Sequence, residues 1–412
     1  MSIIRHPALA KEGLAKIDWV KSYMPVLTTI EKKFSKEKPF RGLRISMSIH
    51  LEAKTAYLAT VLKAAGAEVA ATGCNVLSTQ DDVAAGLATL GVEVYAWHGA
   101  TESEYKQHLK QALSFKPHLM IDDGGDFVNL LHDDAPELAS DLIGGCEETT
   151  TGIMRLLARE KAGKLNFPMV AVNNAQCKNL FDNRYGTGQS TWDAIMHTTN
   201  LMVTGKTVVV AGYGLCGRGI AMRAKGLGAN VIITEIDPVK ALEASMEGYR
   251  VMPMDEAAPL GDVFITVTGC NRVIRKEHFL KMKNGVLLSN AGHFDVEVDK
   301  NDLASIAKKI ETRKPNIQGY YLEDGRILNL LAEGRLVNLA SGNGHPAEIM
   351  DMSFSIQSLS LEYLSKYGKT LGKQVISVPA EIDEAVAQMK LSAVGIKIDH
   401  LTEAQRAYIQ GV

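Results

Sequence analysis

Short apolar runs alternate with helical patterns through the first half of the chain. "GLRISMSIH" (42–50) has strand character, and "AKTAYLATVLKAAG" (53–66) carries apolar residues at helical spacing and ends at a glycine. The same pair of signals returns in "AEVAATG" and "QDDVAAGLATLG", then in "VEVYAWHG" and "ESEYKQHLKQALSF". "PHLMIDDGGD" runs into a glycine turn, and "FPMVAVNNA" (167–175) repeats its form. Strands alternating with helices predict parallel β-α-β units and a doubly wound sheet. A second alternation begins at "KTVVVAGYG" and continues through "NVIITEID", "DVFITVTG" and "GVLLSNAG". From about residue 346 the pattern is mostly helical, and "DMSFSIQSLSLEYLSKYG" predicts a long helix able to pack back on the first unit. The expected fold class is therefore α/β, with two doubly wound, Rossmann-like parallel-sheet domains and a mostly helical C-terminal segment. The expected boundaries are 1–188 for the first domain, discontinuous and completed by about 346–375, then 189–345 for the second and 376–412 for the C-terminal segment.

Composition narrows the class. Hydrophobic residues make up 46% of the 412 positions and charged residues 22%, ordinary for a globular chain with full-sized cores. A net charge of −2 gives no support to a nucleic-acid or acidic-membrane partner. The five cysteines are scattered singly, which predicts reduced thiols and a cytoplasmic location. The opening "MSIIRHPALAKEG" lacks an apolar signal core, and no apolar run approaches the roughly 20 residues that span a bilayer.

The second unit opens with "AGYGLCGRGI", a G-x-G-x-x-G placed after an apolar strand and at the start of a helix. Gly212 suits the tight turn, Gly214 the approach of backbone to a pyrophosphate, and Gly217 close packing of helix on strand. Glu235 lies 23 positions after Gly212, where an acid can bond a ribose 2′-hydroxyl and repel a 2′-phosphate. NAD is thus the expected cofactor. In the first unit, polar residues collect at the carboxyl ends of strands, where open parallel sheets bind ligands. They are His50, Asn75, Asp122, Asp123, Glu147, Glu148, Asn173 and Asn174, with Thr149, Thr150 and Thr151, and then Lys178, Asp182 and Asn183. Taken singly, each has a plain structural explanation, such as helix capping by threonine. Their shared placement is what marks them.

The ordered stretches "DDGGD", "EETTTG", "KNLFDNRYG", "VVVAGYGLCGRG", "ITEIDP", "NAGHFDVE" and "LVNLASGNGHP" make the chain resemble the adenosylhomocysteinase (S-adenosyl-L-homocysteine hydrolase) family over about residues 15–410. The resemblance implies a split substrate domain, an NAD domain, a homotetramer, and hydrolysis of a nucleoside–homocysteine thioether through a 3′-ketone. It implies Lys178 and Asp182 at the 3′-hydroxyl, with Lys178 as base, its pKa lowered by burial. It implies Asp123 at the C4′ proton, His50 at C5′, Glu148 and Asn173 as orienting groups, and His293 and His345 in substrate contact or domain closure. Met350 and Phe354 join the substrate set. For NAD it marks Thr149, Thr150, Thr151, Asn183, Leu215, Cys216, Glu235, Asn271, Ala291, Gly292, His293 and Asn338. No His/Cys cluster has zinc spacing, so no catalytic metal is expected.

Two departures stand out. After His50 the family often has a threonine two positions on and Glu or Gln four positions on, near the adenine, whereas this chain has Glu52 and Lys54. A protonated lysine only donates, so it suits the O6 acceptor of hypoxanthine, with Glu52 accepting from N1–H. Alternatively the two residues pair with each other and read nothing, so adenosyl and inosyl substrates both stay open. The chain also ends at "LTEAQRAYIQGV", without the Lys- and Tyr-bearing extension that in many members reaches a neighbouring subunit's NAD; weaker or different cofactor retention is expected. The rivals are an ordinary NAD-dependent dehydrogenase, which has no need of "EETTTG" or "KNLFDNRYG", and a non-catalytic NAD-binding regulatory homologue, which would be expected to lack Lys178, Asp182 or Asp123.

Overall fold

The computed structural model describes residues 2–411. The first sheet is built from β1 (Arg44–Ser48), β2 (Glu68–Thr72), β3 (Glu93–Tyr95), β4 (Leu119–Asp122), β5 (Gly144–Glu147) and β6 (Met169–Ala171). All are parallel, in the order β6-β5-β4-β1-β2-β3. Ile45, Met47, Leu119, Ile121, Cys146 and Val170 are buried, as expected of strands covered on both faces. The direction of winding reverses between β1 and β4, so a crevice opens at their carboxyl ends.

The second sheet comprises β7 (Thr207–Ala211), β8 (Asn230–Thr234), β9 (Arg250–Val251), β10 (Val263–Thr266), β11 (Leu287–Asn290), β12 (Ala307–Lys314), β13 (Ile317–Leu322) and β14 (Ile327–Leu331). Its order is β12-β13-β14-β11-β10-β7-β8-β9. From β9 to β14 the strands are parallel, while β12, β13 and β14 form an antiparallel meander at one edge. The outermost strand, "AKKIETRK", is largely exposed and lysine-rich, which discourages pairing with another chain. The crevice of this sheet lies between β7 and β10, where the glycine loop leaves β7.

The chain then returns to the first unit. The Ala347–Tyr367 helix packs on the Pro25–Glu37 and Ala53–Ala64 helices and against β5. β15 (Val375–Ser377) adds a seventh parallel strand outside β6, and the Ala380–Ala393 helix packs behind it on Ala347–Tyr367. Asp351, fully buried, accepts from Val26 N (3.2 Å), Leu27 N (2.8 Å) and Lys390 Nζ (3.0 Å), tying three helices together. Among the described residues no helix is long and apolar enough to cross a membrane.

The two units meet where the Leu215–Gly226 helix crosses residues 179–199. A Cβ at Gly219 would collide with the Arg184 carbonyl, and one at Gly188 would crowd the backbone of Gly219. Gly219→Ala is therefore expected to lower the free energy of unfolding by about 1–3 kcal/mol, as overpacked substitutions do. Chemical denaturation measures it; unchanged stability would show that this crossing tolerates separation.

Candidate active site

Lys178 ends the three-residue Gln176–Lys178 helix, and Asn179–Gly186 continues as a wide π-type turn. That winding brings positions four and five residues on to the same face as Lys178. Its Nζ donates to Asp182 Oδ1 (3.2 Å), Asn183 Oδ1 (2.8 Å) and Asn173 Oδ1 (3.3 Å), and lies 3.5 Å from Glu148 Oε1. All but Asn183 are buried.

These charges set each other's protonation. Burial alone lowers the Lys178 ammonium, but the carboxylates of Asp182 and Glu148 outweigh it and hold the group above the ordinary lysine value. The expectation that burial lowers the Lys178 pKa is corrected here: the nearby acids supply more than desolvation removes. Burial pushes Asp182 up, yet Lys178 and His345 hold it well below the usual carboxylate range. Glu148 is pushed by burial to about 7, against the pull of Lys178.

His50 follows β1 and Asp123 follows β4, the two strands that flank the crevice. His50 Nε2 is 3.5 Å from Asp123 Oδ2, and its Nδ1 is 2.7 Å from Ser78 Oγ. Burial brings His50 down to about 4, so its imidazole is neutral near pH 7. Cys74 Sγ donates to Asp123 Oδ2 at 3.3 Å. His50, Cys74 and Asp123 offer donor atoms within 4.8 Å of one another, a grouping that linear spacing conceals. Burial and the neighbouring acids push the Cys74 thiol well up, so it stays a hydrogen donor to Asp123. Behind them Asp122 is pushed by burial to about 7, and burial drives Glu147 up as well.

The second unit closes this crevice. His293 Nδ1, in the loop after β11, stands 3.8 Å from Asp123 Oδ1. Gly124 (φ +106°) leaves room for the His293 ring, which a Cβ would strike. Arg155 donates to Gly124 O (2.9 Å) and lies over the Phe294 ring. His345 spans Asp182 Oδ1 (3.3 Å) and Ser190 Oγ (3.0 Å).

One continuous cleft of about 1020 Å³ joins the two units. It is lined by His50, Glu52, Lys54, Asp123, Glu148, Lys178, Asp182, His345, Met350 and Phe354 at one end. Thr149, Thr150, Thr151, Asn183, Gly212, Gly214, Leu215, Cys216, Glu235, Asn271, Ala291, Gly292, His293 and Asn338 also line it. Gly217 and Asn173 do not. Gly217 packs helix on strand, since a Cβ there would collide with Gly212 O. Asn173 stands behind the cleft, joined to Lys178, Asn183 and Thr150. Two further residues, in the Ala347–Tyr367 helix, carry the cluster: Ser353 Oγ donates to Asp182 Oδ2 (2.7 Å) and Gln357 Nε2 to Glu148 Oε2 (2.5 Å). Their signal in sequence is weak: two polar residues four apart in a helix that carries several other buried polar residues.

Residues 2–140 match the family model described as S-adenosyl-L-homocysteine hydrolase, and residues 183–344 match its NAD binding domain. The chain belongs to this family. It is 56% identical to the S-inosyl-L-homocysteine hydrolase of Methanocaldococcus jannaschii over 99% of this chain and 98% of that one. It is also 56% identical to the adenosylhomocysteinase of Thermococcus kodakarensis, over 99% and 97%, and 54% identical to that of Thermotoga maritima, over 97% and 98%. The cofactor of this S-adenosyl-L-homocysteine hydrolase family domain is NAD, and the cleft fits it. Nothing lies within 4 Å of where a Cβ of Gly214 would stand, so there is open space beside the glycine loop. Asn338 Oδ1, buried on the cleft wall, has no hydrogen-bond partner among the described residues and offers an acceptor. Glu235 is anchored at the end of β8 by Tyr213 N (2.6 Å) and Ile236 N (2.8 Å).

Replacing Glu235 with Ala is expected to weaken NAD binding and relax discrimination against NADP, because a fixed carboxylate repels a 2′-phosphate. Titration of the apoprotein with each dinucleotide measures both effects. Equal wild-type affinity for the two would remove this role.

Proposed function

We propose that the chain hydrolyses S-inosyl-L-homocysteine to inosine and homocysteine, with residues 1–188 and the segment after 346 binding substrate and 189–345 binding NAD. The Lys178 cluster at one end of a cleft that runs to the glycine loop supports a reaction beginning at a ribose hydroxyl. NAD, when bound, supplies a hydride acceptor for C3′ and returns the hydride at the end. Lys178 Nζ holds the 3′-hydroxyl. Since it remains an ammonium, it takes up the hydroxyl proton only as it gives one to Glu148, 3.5 Å away. Asp123 takes the C4′ proton that the 3′-ketone acidifies, and homocysteine departs as thiolate. His50, neutral and 3.5 Å from Asp123, receives that proton and delivers it to the thiolate, then draws a proton from the water that adds at C5′ and passes it through Asp123 to C4′. The proton held by Glu148 returns through Lys178 to the 3′-oxygen as C3′ regains its hydride.

The base is read from Glu52 and Lys54, since overall identity is the same to the inosyl enzyme of M. jannaschii and to the adenosyl enzyme of T. kodakarensis. Lys54 Nζ pairs with Glu52 Oε2 (2.6 Å) and donates to Asn343 O (3.0 Å). An ammonium has three donors, so one is left for the hypoxanthine O6. Glu52 Oε2 is filled by Lys54 N and Nζ, while Oε1 has only long contacts to Thr55 N (3.3 Å) and Thr55 Oγ1 (3.5 Å). Accepting N1–H there costs one weak contact. An adenine amine would face a donor with a donor.

The expected kcat/KM, followed by thiol release, is higher for inosyl- than for adenosyl-homocysteine. Replacing Lys54 by Gln and Glu52 by Thr should shift the ratio by at least about a hundredfold toward adenosyl, as loss of matched hydrogen bonds does. Threonine still caps the Ala53–Ala64 helix, so the fold is kept. A wild-type ratio favouring adenosyl and unmoved by the double substitution would show that the pair binds only itself.

The proton route has its own signature. Glu148 is neutral below about pH 7 and ionised above it, so kcat/KM should rise through that point as the proton acceptor forms. The rise should vanish in Glu148→Gln. A wild-type profile flat between pH 5 and 9 would remove Glu148 from the route.

A further inference from the structure

The reactive lysine hangs from a very short helix. Gln176–Lys178 has only three residues, and its own N-cap, Ala175, offers no side-chain acceptor. Its first amides are free donors that a helix start leaves unsatisfied. Both are taken from 207 and 206 residues away. Asp383 Oδ2 accepts from Gln176 N (2.5 Å), and Oδ1 accepts from Cys177 N (2.8 Å). The Cys177 thiol lies 3.5 Å from the Asp383 carbonyl oxygen. Asp383 sits in the first turn of the Ala380–Ala393 helix. That helix is held independently: Val386 is fully buried, and Lys390 bonds Asp351 (3.0 Å) and Glu348 O (2.9 Å).

We propose that Asp383 is a positioning residue for the reaction. Its carboxylate fixes the backbone turn from which Lys178 reaches Asp182, Asn183 and Glu148. The inference rests on the role given to Lys178 above. A bidentate carboxylate on two successive amides holds that turn in place and in orientation. Asp383 touches neither the cleft nor the cofactor loop, so its effect is on rate and not on substrate affinity. Displacing a reacting group by about 1 Å can cost roughly a hundredfold in rate.

The test compares wild type, Asp383→Ala and Asp383→Asn as NAD-loaded full-length protein. Four quantities are read: kcat and KM for thiol release, the transient near-ultraviolet absorbance of reduced nicotinamide on mixing with nucleoside, the unfolding midpoint, and amide exchange in peptides covering 174–183. Asp383→Ala is expected to lower kcat and the rate of nicotinamide reduction about tenfold to a hundredfold while KM stays close to wild type. Faster amide exchange should be confined to 174–183. Asp383→Asn, which keeps an oxygen acceptor, should recover most of the rate. Unchanged exchange at 174–183 in Asp383→Ala would overturn the proposal, as would a rate loss that tracks a lowered unfolding midpoint and is not relieved by Asn. If wild-type protein reduces no nicotinamide with any nucleoside, the role of Lys178 falls, and the exchange data still decide whether Asp383 holds the turn.

Discussion

Lys178 keeps a full positive charge where water scarcely reaches. A lone buried ammonium is costly, and so are lone buried carboxylates. Here they occur together, with Asp182, Glu148, Asn173 and Asn183 around one nitrogen. Removing Lys178 would leave the two buried acids facing each other without a counter-charge. This mutual dependence explains why the cluster is carried by four separate stretches of chain: the end of β5, the turn after β6, the π-type turn, and the helix that returns from the second unit.

That returning helix also explains an oddity of composition. Residues 350–364 of the Ala347–Tyr367 helix are almost entirely buried, yet Asp351, Ser353, Ser355, Gln357, Ser358 and Ser360 lie there without exposure. Most satisfy a named partner. Ser353 and Gln357 hold the acids of the cluster, and Asp351 joins two other helices. Ser355 and Ser358 bond carbonyls of their own helix, and the apolar residues pack that helix into the core.

Closure supplies the remaining constraint. His293 reaches Asp123, and Phe294 rests under Arg155, whose guanidinium also holds Gly124. A glycine at 124 is required because the histidine occupies the space of a side chain. Burial of Glu148 among Lys178, Gln357 and their neighbours is what raises it toward neutrality.

Much of this was legible in the chain. The β-α alternation, both sheets' ligand-binding edges, the glycine loop and Glu235 follow from local periodicity and spacing, since each is a property of 10 to 30 neighbouring residues. The polar strand ends could be named for the same reason. β5, "GGCE", could not be seen: two glycines and an acid carry no strand signal, and pairing with β4 and β6 makes it one. The antiparallel β12–β14 edge and the π-type turn also depend on partners distant in sequence. The charge state of Lys178 differs from the expectation because burial follows from local pattern, whereas the sum of nearby acids is set by folding. The sequence by itself determined the two-unit α/β design, the cofactor and which polar residues are candidates for the site. Only the tertiary structure decided their protonation, their support from residues 353, 357 and 383, and the Glu52–Lys54 pairing, because each arises from groups whose distance exists only after the chain has folded.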